Sequence, residues 1–159
     1  MSQPTKGDKA PDFEITDHDG NPFRLSALRG TPVVLFFYPQ DDTEGCTIEN
    51  MEFSDLAPQF AALGVKLVGI SPDSVKDHCA FREKYGLKIP LLADPEHKAV
   101  DAFGLWQSKV TFGREYVGLV RSSYFIDTEG KIAGHWKVTR IKNHAQTVLD
   151  TVRTALSAS

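Results

Sequence analysis

Apolar and polar positions follow two rhythms along the chain, and each rhythm predicts a kind of element. Phe13-Glu-Ile-Thr and Pro22-Phe-Arg-Leu, joined by the turn Asp17-His-Asp-Gly-Asn, predict an N-terminal β-hairpin. Arg29-Gly-Thr-Pro interrupts the pattern. Val33-Val-Leu-Phe-Phe-Tyr38 then runs unbroken through β-branched, aliphatic and aromatic residues. Such a run predicts a strand covered on both faces, as at the centre of an α/β sheet. The polar loop Gln40-Asp-Asp-Thr-Glu-Gly45 leads to a helical pattern beginning at Cys46. That pattern directs Ile48, Met51, Phe53, Leu56 and Phe60 toward a core, with Pro58 expected to break or kink the helix. Gly64 closes the segment, and Val65–Ser71 reads as the next strand.

Ser74-Val-Lys-Asp77 resembles a capping box with Asp in place of the usual Glu or Gln, and opens a helix to Tyr85 that Gly86 stops. Leu91-Leu-Ala is a short strand and Glu96–Phe103 a helix, whereas Gly104–Gly118 shows no clear period. Ser122–Ile126, the turn Asp127–Gly130 and Lys131–Val138 predict a second hairpin. A last helix from Asn143 to about Ala158 buries Ala145, Val148, Leu149, Val152 and Leu156. This order predicts the α/β class, with a mixed sheet flanked by helices in a single domain over residues 1–159.

A chain of 159 residues has room for a substantial core. With 25% charged residues, a net charge of −3 and scattered Lys and Arg, it lacks the clustered positive charge that nucleic acid requires. The longest apolar run, Val33–Tyr38, falls far short of the roughly 20 residues that span a bilayer. The polar start Met1–Lys9 lacks the apolar core of a signal peptide, so a cytoplasmic location away from membranes is expected. Neither a phosphate-binding glycine loop nor metal spacing among His18, His78, His97, His135 and His144 occurs. His78 reads as a solvent-facing or capping residue, and Trp106 and Trp136 as core or hairpin residues.

The two cysteines, Cys46 and Cys79, make no disulfide scaffold and no zinc motif. Cys46 follows a buried strand, a proline and a glycine-containing loop, and opens a helix. Open α/β folds place ligands at the carboxyl ends of strands. Helix-terminal N–H groups stabilise an anion there, and the thiolate is the nucleophilic form of cysteine. The Thr43 hydroxyl is placed to orient a bound oxygen or the sulfur, and Pro39, which has no N–H, to wall off one side of the pocket.

The spacing Pro39-x-x-x-Thr43-x-x-Cys46 resembles the peroxiredoxin signature. The wider stretch Tyr38-Pro-Gln-Asp-Asp-Thr-Glu-Gly-Cys-Thr-Ile-Glu49 resembles the bacterioferritin comigratory protein, or peroxiredoxin Q, branch of that family. So do Gly69–Ser74, Tyr85-Gly-Leu, Pro90–Asp94 and Arg121–Asp127, and the likeness runs from about Gly7 to the last helix. The resemblance implies a thioredoxin-like fold and thiol-dependent reduction of hydrogen peroxide and organic hydroperoxides, without metal or organic cofactor. It implies recycling by thioredoxin, or by glutaredoxin or glutathione, and a monomer. It makes Cys46 the peroxidatic cysteine, Pro39 and Thr43 the walls of its pocket, Arg121 the arginine beside the sulfur, and Glu49 the glutamate that orients this arginine. Read alone, Arg121 is a solubilising residue at a strand start and Glu49 an ordinary first-turn acid.

Two positions depart from the family pattern: Gln40 stands for a common lysine and Glu44 for a common proline. With Asp41 and Asp42 they make an acidic loop, which either opposes thiolate formation or simply faces solvent. Attack on peroxide leaves Cys46 as a sulfenic acid, which a second thiol condenses with to form a disulfide. Many members carry that thiol five residues later, where this chain has Met51. Some members of this branch carry it on the following helix, where Cys79 falls at the margin of the apolar sector. Cys79 is therefore the expected resolving residue, and closing the bridge requires the Cys46 helix to unwind. A one-cysteine peroxidase resolved by an outside thiol, and a redox-sensing module without turnover, both stay open.

Overall fold

In the computed structural model, which describes residues 3–111 and 113–157, the N-terminal hairpin forms as β1 (Glu14–Asp17) and β2 (Pro22–Arg24). A 3-10 turn over Leu25–Leu28 leads to β3 (Val33–Phe37). Then follow α1 (Glu44–Ala62), β4 (Lys66–Ser71), α2 (Val75–Tyr85), β5 (Leu91–Ala93) and α3 (Lys98–Ala102). β6 (Trp106–Thr111), β7 (Arg114–Leu119), β8 (Ser122–Ile126), β9 (Ile132–Lys137) and α4 (His144–Ser157) complete the order. Ala158, at the expected end of the last helix, lies outside the described residues.

Among the described residues, seven strands make one mixed sheet in the order β2-β1-β5-β4-β3-β8-β9. β3 lies parallel to β4 and antiparallel to β8, and all five of its residues are buried. Its side chains alternate between the two faces. Val34, Phe36 and the following Tyr38 pack with Phe53 and Phe60 of α1, Phe81 of α2 and Val148, Leu149 and Val152 of α4. Val33, Leu35 and Phe37 pack with Phe13, Leu25, Val100, Phe103, Leu119 and Tyr124 on the other face. The unbroken apolar run is thus the spine on which both cores assemble.

The structure corrects four expectations. Gly104–Gly118 holds most of the β6–β7 hairpin, which among the described residues pairs only with itself, leaving Val110 and Val117 exposed and the alternation of an ordinary strand unmarked. α1 starts at Glu44, before Cys46, and continues through Pro58 to Ala62, carried by the packing of Phe53 and Phe60 on either side of the proline. Ile48 and Met51 do not face the core but are 44% and 43% exposed. Phe53 and Phe60 set the phase of the helix instead, and its buried stripe is completed by Cys46, Glu49, Asn50 and Ser54. Finally, α3 begins later than Glu96, because Asp94 caps it by accepting from the N–H groups of Ala99 and Val100.

Capping chemistry behaves as read for α2. Ser74 Oγ accepts from the Asp77 N–H, and Gly86 ends the helix at a φ of 62°, where a side chain is strained. Gly69 in β4 answers a different need. A β-carbon there would meet Phe36 Cζ at 2.7 Å and Leu91 Cδ2 at 2.9 Å. Gly69→Ala is expected to cost about 1–3 kcal/mol of stability through overpacking. Urea unfolding measures this, and an unchanged midpoint would mean that the aromatic layer over β4 yields freely.

Candidate active site

Sheet register decides which residue reaches Cys46. Phe37 pairs with Ser122 across β3 and β8, so the residues just beyond the paired ends, Tyr38 and Arg121, emerge together at one end of the sheet. The Tyr38 N–H still donates to Ile70, and Pro39 then turns the chain outward. α1 begins at this end, and its first N–H groups lack intrahelical acceptors. The partial positive charge of a helix N-terminus therefore points at the place where Cys46 and Arg121 meet.

Arg121 Nη2 donates to Cys46 Sγ at 3.3 Å, while Nη1 donates to Glu49 Oε1 at 2.6 Å. Cys46 and Glu49 stand on one face of α1 and are each 1% exposed. A side chain on Gly45 would meet Ile141 Cδ1 at 2.8 Å and lie 3.6 Å from Arg121 Nη2. The missing side chain thus lets Ile141 and the guanidinium close together over the start of the helix.

Burial works against the charge of Arg121, but Glu49 and then Cys46 outweigh it, and the guanidinium is held protonated more firmly than usual. Burial pushes Glu49 up to about 7 from an ordinary 4.5, although the charge of Arg121 and its hydrogen bond pull the other way. Behind the arginine, His144 Nε2 meets Ser123 Oγ at 2.8 Å. Burial first and Arg121 second lower His144 to about 4, so a neutral imidazole lies there at pH 7 and adds no competing charge.

Two polar residues of the buried α1 stripe escaped the sequence reading. Asn50 Nδ2 donates to the carbonyl of Cys46 at 2.8 Å, and Ser54 Oγ accepts from the Lys88 N–H at 2.8 Å. The signal that finds them is their helical phase: Asn50 and Ser54 share the face of Phe53 and Cys46. Polar side chains on a buried face are costly unless partnered, so their presence marks a face selected for more than packing.

Thr43 caps α1 without a side-chain bond to the helix; it is exposed, and its hydroxyl donates to the carbonyl of Gln40 at 2.9 Å. Pro39 is exposed at the rim of the same loop. The acidic loop divides its roles. Asp42 is exposed and pairs with Lys84 at 2.7 Å and with the Tyr85 hydroxyl at 2.5 Å. The Asp41 carboxylate turns inward, accepting from the Tyr38 hydroxyl at 2.7 Å and meeting His78 Nδ1 at 2.7 Å. The reading of His78 as a solvent-facing or capping residue is therefore corrected: it is wholly buried, because Asp41 of the loop and the Leu92 carbonyl of β5 both offer it acceptors.

The two cysteines are free thiols in different settings. Cys46 is buried beside the start of β8, whereas Cys79 is exposed on α2 with its thiol donating to the His18 carbonyl at 2.7 Å, beside β1. Three strands of the sheet separate β1 from β8.

A family model described as the AhpC/TSA family matches residues 6–135. The chain is 42% identical over 147 residues to the peroxiredoxin Bcp of Bacillus subtilis, covering 92% of this chain and 94% of that protein. It superposes on the bacterioferritin comigratory protein of Xanthomonas campestris with a TM-score of 0.85 at 32% identity, covering 91% and 92% of the two chains. That structure concerns alkyl peroxide reduction, in trapped intermediate and ligand complexes. Peroxidoxin BcpB of Mycobacterium tuberculosis gives a TM-score of 0.83 at 36% identity over 96% of this chain and 98% of that one. The mixed sheet flanked by helices is the thioredoxin fold of these proteins. No helix among the described residues is long and apolar enough to cross a membrane.

The raised Glu49 has a measurable consequence. Between pH 4.5 and about 7 the folded protein keeps a proton that the unfolded chain has released, so stability falls as pH rises through that window. Wild type is expected to lose on the order of 1–3 kcal/mol across the window that Glu49→Gln does not lose. Urea unfolding of both proteins at several pH values measures the difference, and parallel curves would refute it.

Proposed function

The chain belongs to the AhpC/TSA family, as a thiol peroxidase of the peroxiredoxin kind, and on that premise we propose that Cys46 is the sulfur that attacks the peroxide. The observation that carries this reading is the single guanidinium held between Cys46 and Glu49. The thiolate of Cys46 attacks the terminal, hydrogen-bearing oxygen of the hydroperoxide. A sulfur–oxygen bond forms, the oxygen–oxygen bond breaks, and sulfur is oxidised by two electrons to a sulfenic acid. The departing alkoxide or hydroxide takes a proton and leaves as alcohol or water.

Negative charge moves from sulfur to the leaving oxygen during this step. Arg121 and the first N–H groups of α1 are fixed in place before the reaction, so they stabilise that charge without reorganising. Glu49 holds the planar guanidinium by its second nitrogen and thereby sets its orientation. Thr43 and Pro39 border the approach to the sulfur in this reading. Hydrogen peroxide and small organic hydroperoxides are the proposed substrates, a choice supported by the alkyl peroxide reduction of the Xanthomonas relative.

Cys79 is the proposed resolving thiol. Its sulfur displaces the hydroxyl of the Cys46 sulfenic acid, forming a disulfide and releasing water with the thiol proton. A dithiol reductant, thioredoxin or alternatively glutaredoxin, then exchanges with the disulfide and returns both thiols. We place this cycle in the cytoplasm, on a monomer. One observation favours the rival cycle in which an outside thiol resolves Cys46: Cys79 faces His18 beside β1, across the sheet from the Arg121 site.

Non-reducing peptide mapping after one equivalent of peroxide is expected to find a Cys46–Cys79 bridge within one chain. In Cys79→Ser, Cys46 is expected to stop at the sulfenic acid and thioredoxin-supported turnover to be lost. Oxygen gained at Cys46 with Cys79 still free in wild type would establish the outside-thiol cycle. An unmodified Cys46 would defeat the assignment of the attacking sulfur. Arg121→Met is expected to slow peroxide reaction about 10²–10³-fold in rapid-mixing kinetics, the range for removing one fixed charge-stabilising donor. A loss below about threefold would remove Arg121 from the mechanism.

A further inference from the structure

Pro39–Thr43 forms a strap between the end of β3 and the start of α1, and its two aspartates tie it to the helix that carries Cys79. The inner tie is buried. His78 Nε2 faces the Leu92 carbonyl at 2.9 Å, an acceptor, so Nε2 carries a hydrogen and donates it. His78 Nδ1 faces Asp41 Oδ2 at 2.7 Å, a second acceptor, so another proton lies between these two atoms and the contact is charge-assisted. Tyr38 donates to the other oxygen of Asp41.

A third residue completes the inner tie. Asp73 Oδ2 accepts from the Asp41 N–H at 2.8 Å and from Ser71 Oγ at 2.6 Å. The ligand atoms of Asp41, Asp73 and His78 lie within 4.8 Å of one another, a spacing that suits a metal ion. Both Asp41 oxygens and Asp73 Oδ2, however, already meet the protons of Tyr38, Ser71, His78 and the Asp41 backbone, which makes the group a clasp.

The outer tie joins Asp42 to Lys84 and Tyr85 at the end of α2. Between strap and helix lies a cleft of about 260 Å³ bordered by Gln40, Asp41, Asp42, Asp77 and Lys84. Polar ties bridge that cleft, where a packed apolar face would otherwise be needed.

Neighbouring residues on a helix diverge by about 100°. α2 accordingly presents His78 to the strap and Cys79 to the His18 carbonyl. Turning α2 to bring Cys79 toward Cys46 draws His78 from Asp41, and unwinding α1 back into the strap draws Asp41 from His78. Both routes open the clasp.

We infer that His78, with Asp41, Lys84 and Tyr85, is a positioning residue of the peroxidase: these residues fasten the strap to α2 and set how often the Cys46 turn opens. The consequence for bridge formation rests on the reading of Cys79 as the resolving thiol; the control of opening does not.

A Cys79→Ser background, which cannot form the bridge, isolates that opening as the rate at which a bulky maleimide alkylates reduced, buried Cys46. Adding Asp41→Ala is expected to raise this rate about tenfold, the order that loss of one charge-assisted bond produces, and the surface pair Lys84→Met with Tyr85→Phe about twofold to fivefold, as suits an exposed tie. Asp41→Asn is expected to stay near the background rate, because an amide can donate to a neutral His78 Nδ1 and still accept from Tyr38. With Cys79 restored, the same substitutions are expected to speed bridge formation after peroxide, read by rapid quench and mass spectrometry, while slowing the first reaction with peroxide.

Faster alkylation with no bridge in any variant would support the clasp and remove Cys79 as resolver. Unchanged alkylation in both loosened variants would overturn the clasp, even if the bridge forms in all. So would an equal change in Asp41→Asn and Asp41→Ala, or a fall of the peroxide and bridge rates together, since general damage to the fold produces either.

Discussion

A guanidinium lodged between a thiol sulfur and a carboxylate, with sulfur and carboxylate almost withdrawn from water, constrains everything around the start of α1. Cys46 and Glu49 must share one helix face, and Arg121 must arrive from a different strand at the same height. Removing such groups from water costs several kcal/mol each unless their charges and hydrogen bonds are answered. The site meets part of that cost, and Glu49, whose Oε2 is buried without a partner, keeps its proton to about pH 7. Arg121 donates to both the Cys46 sulfur and the Glu49 carboxyl, Asn50 holds the Cys46 carbonyl, and His144 stays neutral behind them.

Such an arrangement is rigid only because the sheet beneath it is. β3 is buried on both faces, and its pairing with β8 leaves little freedom in where Arg121 emerges. Phe53 stacks on Phe36 with ring centroids 4.2 Å apart, locking the rotation of α1 against the same strand. Helix phase, strand register and the position of one arginine are thus a single constraint seen from three sides. It explains why α1 buries Glu49, Asn50 and Ser54 while leaving Ile48 and Met51 in water.

In the proposed cycle the strap before Cys46 meets opposed demands. Attack on peroxide needs the sulfur held in a fixed field of donors. The proposed disulfide with Cys79 needs that sulfur released, because Cys79 faces another part of the surface. An acidic loop is suited to this conflict. Asp41 and Asp42 use their charge on α2, at His78, Lys84 and Tyr85, and not on Cys46.

Local chemistry made much of this molecule legible from the chain alone. The apolar run Val33–Tyr38, the Ser74 cap with its Gly86 stop, and the turns at Asp17–Asn21 and Asp127–Gly130 are properties of neighbouring residues. The position of Cys46 at a helix start behind a buried strand is likewise a short-range fact. The rotation of α1 was not legible, because it depends on which of several apolar residues finds an aromatic partner in another element. The β6–β7 hairpin was hidden because its strands pair only with each other and need no clean alternation. By itself the sequence determined where strands, helices and a poised cysteine fall, since propensity, capping and turn chemistry act over a few residues. The family resemblance named Arg121 and Glu49 as companions of that cysteine, and the tertiary structure decided the geometry in which they meet it, that His78 is buried against Asp41, and that Cys79 faces His18. Those contacts are set by sheet register and helix rotation, and both are fixed by packing between residues far apart in the chain.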